Sequence, residues 1–234
     1  MSWMFDNFIF RGVAKILETL GLSLIWLFFC LPIVTIGAAN TALYYSVNKT
    51  LKYNRGYAIR GFWQAFKDNF KQSTVVGLFF TVWLVILGYD CYMMYSFYMM
   101  DEPMGKYRVV IYALTLLVVA WSTYVSPYIA RFENTTKDVF KNTFMIAVAN
   151  APTTIISTGW LIMCGYIIYR WTPVIIVMPA IYTVIQSAFI EKVFRKYMTK
   201  EQIELEQERN GVVYNDNQPI GLFAKLKKKK NDEK

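Results

Sequence analysis

Charged residues divide this chain into long stretches that lack them. None falls between Leu20 and Asn48, Gln72 and Tyr89, Val109 and Ala130, Asn142 and Tyr169, or Trp171 and Ile190. These five tracts are about 18 to 29 residues long. A hydrocarbon core about 30 Å thick takes roughly 20 helical residues to cross. Backbone groups in lipid must bond within their own segment, which selects helices. The pattern predicts an all-α integral membrane bundle of about five spans, near 20–47, 73–95, 108–130, 143–168 and 172–190. One membrane domain then covers 1–197, and 198–234 is a polar tail.

The first tract is too long for one span and too short for two. As a straight helix its length would be about 43 Å. Pro32 and Gly37 fall in its middle, where a helix breaks or kinks. The expectation is a helix to about Leu31, a non-helical stretch Pro32–Gly37, and a second helix from about Ala38. One kinked span and a re-entrant pair both fit. The first places the N-terminus outside, the second inside. The preceding residues mix Trp3, Phe5 and Phe8 with Arg11 and Lys15, as in a helix entering the membrane at a shallow angle. A signal peptide is not expected, because the apolar run exceeds an h-region of about 7–15 residues.

Between the first two tracts, Ile59, Phe62, Trp63, Phe66 and Phe70 recur at helical spacing beside Arg60, Lys67 and Lys71. This reads as an interfacial amphipathic helix over about 59–71. Arg60, Trp63, Lys67 and Lys71 would meet lipid headgroups; packing of the same face on the bundle is the plainer alternative. A short echo, Phe66-Lys-Asp-Asn-Phe70 against Phe140-Lys-Asn-Thr-Phe144, hints at a parallel repeat of spans two–three and four–five, with coincidence the competing reading.

Charge adds orientation. The chain carries 25 Lys and Arg against 16 Asp and Glu. The excess sits in the segment 49–71, the loop 131–141 and the tail, so these face the cytoplasm by the positive-inside rule. No nucleic-acid motif accompanies the positive charge, and nucleic acid is not an expected partner. In the tail, 201–208 reads as a short acidic helix and Lys227–Lys230 as a polybasic end suited to anionic lipid or to fixing topology.

Candidate chemistry is sparse. Histidine is absent, and three cysteines at 30, 91 and 164 fit no metal or disulfide spacing. No phosphate loop or nucleophile elbow occurs. No cofactor, metal site or catalysis is expected. The Tyr- and Met-rich stretch 89–104 reads as an aromatic belt. The polar candidates are Thr35, Asn40 and Thr41 at the first break, Asp90 inside an apolar run, Arg131, Glu133 and Asn134 at the end of span three, and Asn150 and Gln186 in spans four and five. Each has a functional reading as part of a site and a structural one as interhelical glue or backbone repair. Arg131 and Glu133, two apart, would not face each other on a helix.

Three stretches taken in order resemble one family. They are Cys30-Leu-Pro-Ile-Val-Thr-Ile-Gly-Ala-Ala-Asn-Thr-Ala-Leu-Tyr44, Phe62-Trp-Gln-Ala-Phe-Lys-Asp-Asn-Phe-Lys-Gln-Ser73, and Tyr128-Ile-Ala-Arg-Phe-Glu-Asn134 followed by Lys141-Asn-Thr-Phe144. Together they resemble the YesL-like membrane proteins (DUF624), over roughly residues 10–200. The resemblance implies a multi-pass plasma-membrane protein of a Gram-positive-type bacterium, encoded near carbohydrate ABC transporters and sensor kinases. It supplies no catalytic residue. The expected role is an accessory or regulatory component of a carbohydrate uptake system, with a transporter permease or sensor kinase as partner besides membrane lipid. The alternatives are an independent carrier for a sugar or ion, and a helper in envelope polysaccharide assembly.

Overall fold

A computed structural model describes residues 17–52 and 57–198. The expectations for the first sixteen residues, for the acidic helix 201–208 and for the polybasic end lie outside the described residues.

The described chain is all helical, with seven α-helices. They are α1 Leu17–Cys30, α2 Ile36–Ser46, α3 Ala58–Met99, α4 Arg108–Arg131, α5 Thr136–Ala149, α6 Ala151–Arg170 and α7 Met178–Arg195. Tight 3-10 turns at Ile33–Thr35, Pro103–Tyr107 and Thr172–Ile176 join several of them. A π-helical turn, Val47–Lys52, extends α2.

Three segments are long and apolar enough to cross a membrane: Ala58–Met99, Pro103–Arg131 and Ala151–Arg170. Leu17–Cys30 is apolar but shorter. Only 17% to 22% of the residues in the three apolar windows are buried. Most of their apolar side chains therefore point away from the protein, as lipid-facing side chains do and as those of a water-soluble core do not.

The first tract does break. Trp26 Nε1 donates to Asn40 Oδ1 at 2.7 Å. In a straight helix residues 14 apart lie about 21 Å apart along the axis, so the chain turns sharply between them. The turn itself is apolar and exposed, through Leu31, Ile33 and Val34. Its backbone is satisfied internally: Thr35 Oγ1 donates to the carbonyls of Phe29 and Pro32, and Thr35 N donates to Pro32 O at 3.0 Å. Such repair is what a helix break in apolar surroundings requires.

Two expected boundaries are different. The amphipathic segment 59–71 is no separate helix. It is the first third of α3, which runs 42 residues, about 63 Å, without interruption. Charge changes what a helix faces but does not break it, and no proline lies between 58 and 99. Conversely, span four is two helices. The chain leaves helical geometry at Asn150 (φ −118°, ψ 46°), and Pro152 opens α6. Proline has no N–H for the preceding turn, so the break falls there. The echo at 66–70 and 140–144 thus sits on an unbroken helix in one case and ahead of a break in the other.

Two apolar cores hold the bundle. One joins α1, α2 and the start of α3, through Leu22, Ala38, Ala42, Phe62 and Phe66. The Phe29 ring packs at a tilt against Phe62, Trp63 and Phe66 there. The other joins α3, α4, α5 and α7, through Phe80, Tyr124, Tyr128, Ile146 and Phe194. Lys49, Arg60, Lys67, Arg131, Lys137, Lys141 and Arg195 gather toward one end of the bundle, called the basic end below.

Candidate functional site

The placement of α2 begins with two glycines. A β-carbon on Gly37 would stand 2.2 Å from Ser73 O and 2.7 Å from Gly77 Cα. One on Gly77 would stand 2.4 Å from Gly37 Cα. Gly37 and Thr41 on α2, and Ser73 and Gly77 on α3, are small residues four apart, the pattern that lets membrane helices approach closely. Ser73 Oγ donates to Thr41 Oγ1 at 3.0 Å across the crossing, and Thr41 Oγ1 donates to Gly37 O at 2.9 Å. Thr41 is therefore part of the crossing, and Thr35 part of the turn before it.

This crossing sets the inner face of α2 against α4 and α7. Between α1, α2, α4, α6 and α7 lies a cavity of about 300 Å³. Asn40 and Gln186 both line it. Its polar wall also includes Ser122, Thr123, Ser126 and Tyr182, and its apolar wall includes Trp26, Leu161, Cys164 and Met178. Among the described residues, no Asp, Glu, Lys or Arg lines it.

Gln186 also has a structural duty. Pro127 lies inside α4 and offers no N–H to the carbonyl of Thr123, four residues back. Gln186 Nε2 donates to that carbonyl at 2.9 Å. A side chain on α7 thus completes the backbone of α4.

One turn beyond the cavity, toward the basic end, three helices meet in a buried ion pair. Glu191 on α7 is 1% exposed. Its Oε2 pairs with Arg131 Nη1 of α4. Its Oε1 accepts from Tyr44 OH at 3.0 Å and from Asn48 Nδ2 at 3.3 Å, both from the α2 side. Arg131 Nη2 also contacts Met198 Sδ at 3.1 Å. A buried carboxylate needs such a complement of donors to remain charged. Tyr44 belongs to both features, since it lines the cavity as well as bonding Glu191.

The remaining candidates lie elsewhere. Asn150 does not reach the cavity; its Nδ2 donates to Ile146 O and Tyr197 OH, and its Oδ1 accepts from Lys196 Nζ. Thr154 Oγ1 bonds the carbonyls of Ala147 and Asn150, repairing the break. Asn134 O accepts from Gln72 Nε2 at 2.6 Å and its Nδ2 donates to Tyr128 OH at 2.8 Å, which ties the 131–135 loop to α3 and α4. Glu133 is exposed. Asp90 is half-buried on α3 and makes no hydrogen bond among the described residues. Arg60, Trp63, Lys67 and Lys71 are exposed on the outer face of α3, with Lys67 Nζ 4.8 Å from the Trp63 ring centre. Their neighbours Phe62 and Phe66 point inward instead. The aromatic stripe is thus shared between the bundle and the surroundings. Among the described residues, no three His, Cys, Asp or Glu side chains converge as a metal site would require.

Glu191 and Tyr44 were not legible as candidates. Glu191 follows the last uncharged tract by a single residue and resembles an ordinary interfacial charge. A weak signal exists: Thr183, Gln186, Ser187, Ile190 and Glu191 form one face at helical spacing, polar except for Ile190. A polar stripe on an otherwise apolar span faces the bundle interior.

Compared with known families, residues 20–91 match the profile of DUF624, described as a protein of unknown function. No curated protein and no solved structure matches the chain. The matched residues contain the first two of the three stretches that carried the resemblance; the third lies beyond them. The match to DUF624 thus covers the stretch that holds the helix break, the glycine crossing, Asn40 and Tyr44.

Proposed function

We propose that this protein is a multi-pass component of a bacterial plasma membrane that binds a small uncharged solute inside its bundle and serves a carbohydrate uptake system as an accessory or regulatory subunit. The cavity between α1, α2, α4, α6 and α7 is the observation that carries this reading. Its volume of about 300 Å³ matches the lower end of small-molecule pockets, roughly 300–1,000 Å³. Its wall offers amide and hydroxyl groups beside the rings of Trp26, Tyr44 and Tyr182. A charged solute would be desolvated there without a counter-charge on the lining, which is costly. A neutral solute with several hydroxyl groups exchanges its water bonds for those of Asn40, Ser122 and Ser126. The link to carbohydrate uptake comes from the family resemblance, and the reading includes no catalytic step.

The basic end faces the cytoplasm in this reading, as the positive-inside rule requires. Arg60, Trp63, Lys67 and Lys71 meet the lipid headgroups. The exposed faces of 59–71 and of the loop 131–141 are the proposed contacts for a permease or sensor kinase subunit.

A second reading, an independent carrier, is favoured by one feature: the break between α1 and α2 lies beside the cavity, as broken helices do in many transporters.

The test is a melting-temperature series on detergent-purified protein with uncharged and charged sugars. A ligand that binds only the folded state raises stability in proportion to its concentration over Kd. At least one uncharged sugar is expected to raise the melting temperature, and Asn40→Leu to abolish the rise. No rise with any uncharged sugar, or a rise with charged sugars alone, contradicts the reading.

A further inference from the structure

The geometry points to a closed gate between the cavity and the basic end, made by the Tyr44–Asn48–Glu191–Arg131 cluster. On each of three helices, the cluster lies one turn past a cavity-lining residue. On α2 and its extension the step is from Tyr44 to Asn48, on α4 from Pro127 to Arg131, and on α7 from Gln186 to Glu191. Steps of four, four and five residues advance about 6 to 7.5 Å, and the hydrogen bonds of Glu191 to Asn48 and Arg131 bring the three to one level. All three run toward the ends that carry Lys49, Arg131 and Lys192. At that level Glu191 draws α2, α4 and α7 together through its two oxygens. Glu191 is 1% exposed, so the contact that joins the three helices is itself closed to solvent.

The same cluster senses the cavity. Tyr44 lines the cavity, and its hydroxyl donates to Glu191. A solute that shifts Tyr44 removes one donor from Glu191 and leaves the carboxylate held by Asn48 and Arg131. Occupancy therefore weakens the contact that closes the basic end. A two-state element of this kind responds only to a ligand that interacts differently with its two states, and Tyr44 supplies that difference. The sensing half rests on the proposed solute site; the gating half does not.

Cys164 makes the gate measurable, because it lines the cavity and is 3% exposed. In a Cys30→Ser/Cys91→Ser background it becomes the single thiol. A membrane-impermeant maleimide is added to inside-out vesicles, which present the basic end. Labelling is expected to be slow in this background. It is expected to rise about tenfold in Glu191→Gln, which keeps the side chain's shape but loses the charge-assisted bond to Arg131. Tyr44→Phe keeps the ring and loses the hydroxyl, and is expected to give a smaller rise. Labelling of right-side-out vesicles should not change in either variant. Equal labelling of both variants and the background from the basic end overturns the gate. A rise from both sides also overturns it, since that reports general loosening; a monodisperse elution profile in detergent checks folding. Failure of every sugar to bind, with the labelling pattern intact, removes the solute reading and leaves the gate.

Discussion

At the scale of single residues, polar side chains in the spans are tied to backbone groups that have no other partner. Gln186 takes the Thr123 carbonyl that Pro127 leaves free. Gln186→Leu is therefore expected to destabilise the protein by about 1–3 kcal/mol, the cost of one buried unsatisfied acceptor. In a Pro127→Ala background the new N–H recaptures Thr123 O, and the same substitution should cost clearly less. Thermal unfolding of the two pairs measures the difference, and equal losses would show that Gln186 acts through something else. Glu191 and Arg131 form a stronger case. Removing one partner, as in Arg131→Ala, leaves a buried carboxylate uncompensated and is expected to cost about 3–5 kcal/mol. The double variant Arg131→Met/Glu191→Met should recover much of that loss, since a buried ion pair contributes little net stability against apolar groups of similar size. Arg131 was legible as a candidate because a cation ends an apolar run. Its partner was not, because Glu191 is 60 residues away in sequence. Asn40 and Gln186 were legible as polar residues in apolar tracts, but that they share a cavity while Asn150 stands apart depends on helix rotation.

At the scale of elements, the helix breaks and the glycine crossing decide the arrangement. Gly37→Ala and Gly77→Ala each place a β-carbon within about 2.2–2.7 Å of facing backbone, and backbone on two packed helices does not yield as a flexible side chain does. Each is expected to lower the folded yield sharply by fluorescence-detected chromatography. Gly159→Ala, whose β-carbon would meet nothing within 4 Å, should leave the yield unchanged. A normal yield for Gly37→Ala would place the crossing elsewhere. The break in the first tract was readable because Pro32 and Gly37 punctuate it; α1 ends at Cys30 and α2 starts at Ile36, within two residues of the expected limits. The continuity of α3 was not readable, because the charges at 60–71 suggest an end of the membrane segment without breaking the helix. The break at Asn150 was hidden in an uncharged tract of spanning length, although Pro152 marks it. The glycine crossing needs two helices to be seen together, and each glycine alone is an ordinary residue in an apolar run.

At the scale of the whole molecule, the bundle is apolar outside, mixed within, and basic at one end. That distribution fits a membrane protein whose interior is solvated by its own polar groups rather than by lipid. It also sets an orientation test. A cysteine introduced at Lys141 should react with an impermeant reagent only in inside-out vesicles, and one at Asp101 only in right-side-out vesicles. The reverse pattern would invert the gate and the proposed partner surface together. The most direct test of the account is the recovery of tagged protein from its own membranes in a mild detergent, with mass spectrometry of the proteins that accompany it. Stoichiometric permease or sensor kinase subunits of a carbohydrate uptake system are expected to accompany it. Recovery of well-folded protein alone would contradict the accessory role and leave the bundle, with its cavity and gate, as a carrier in its own right.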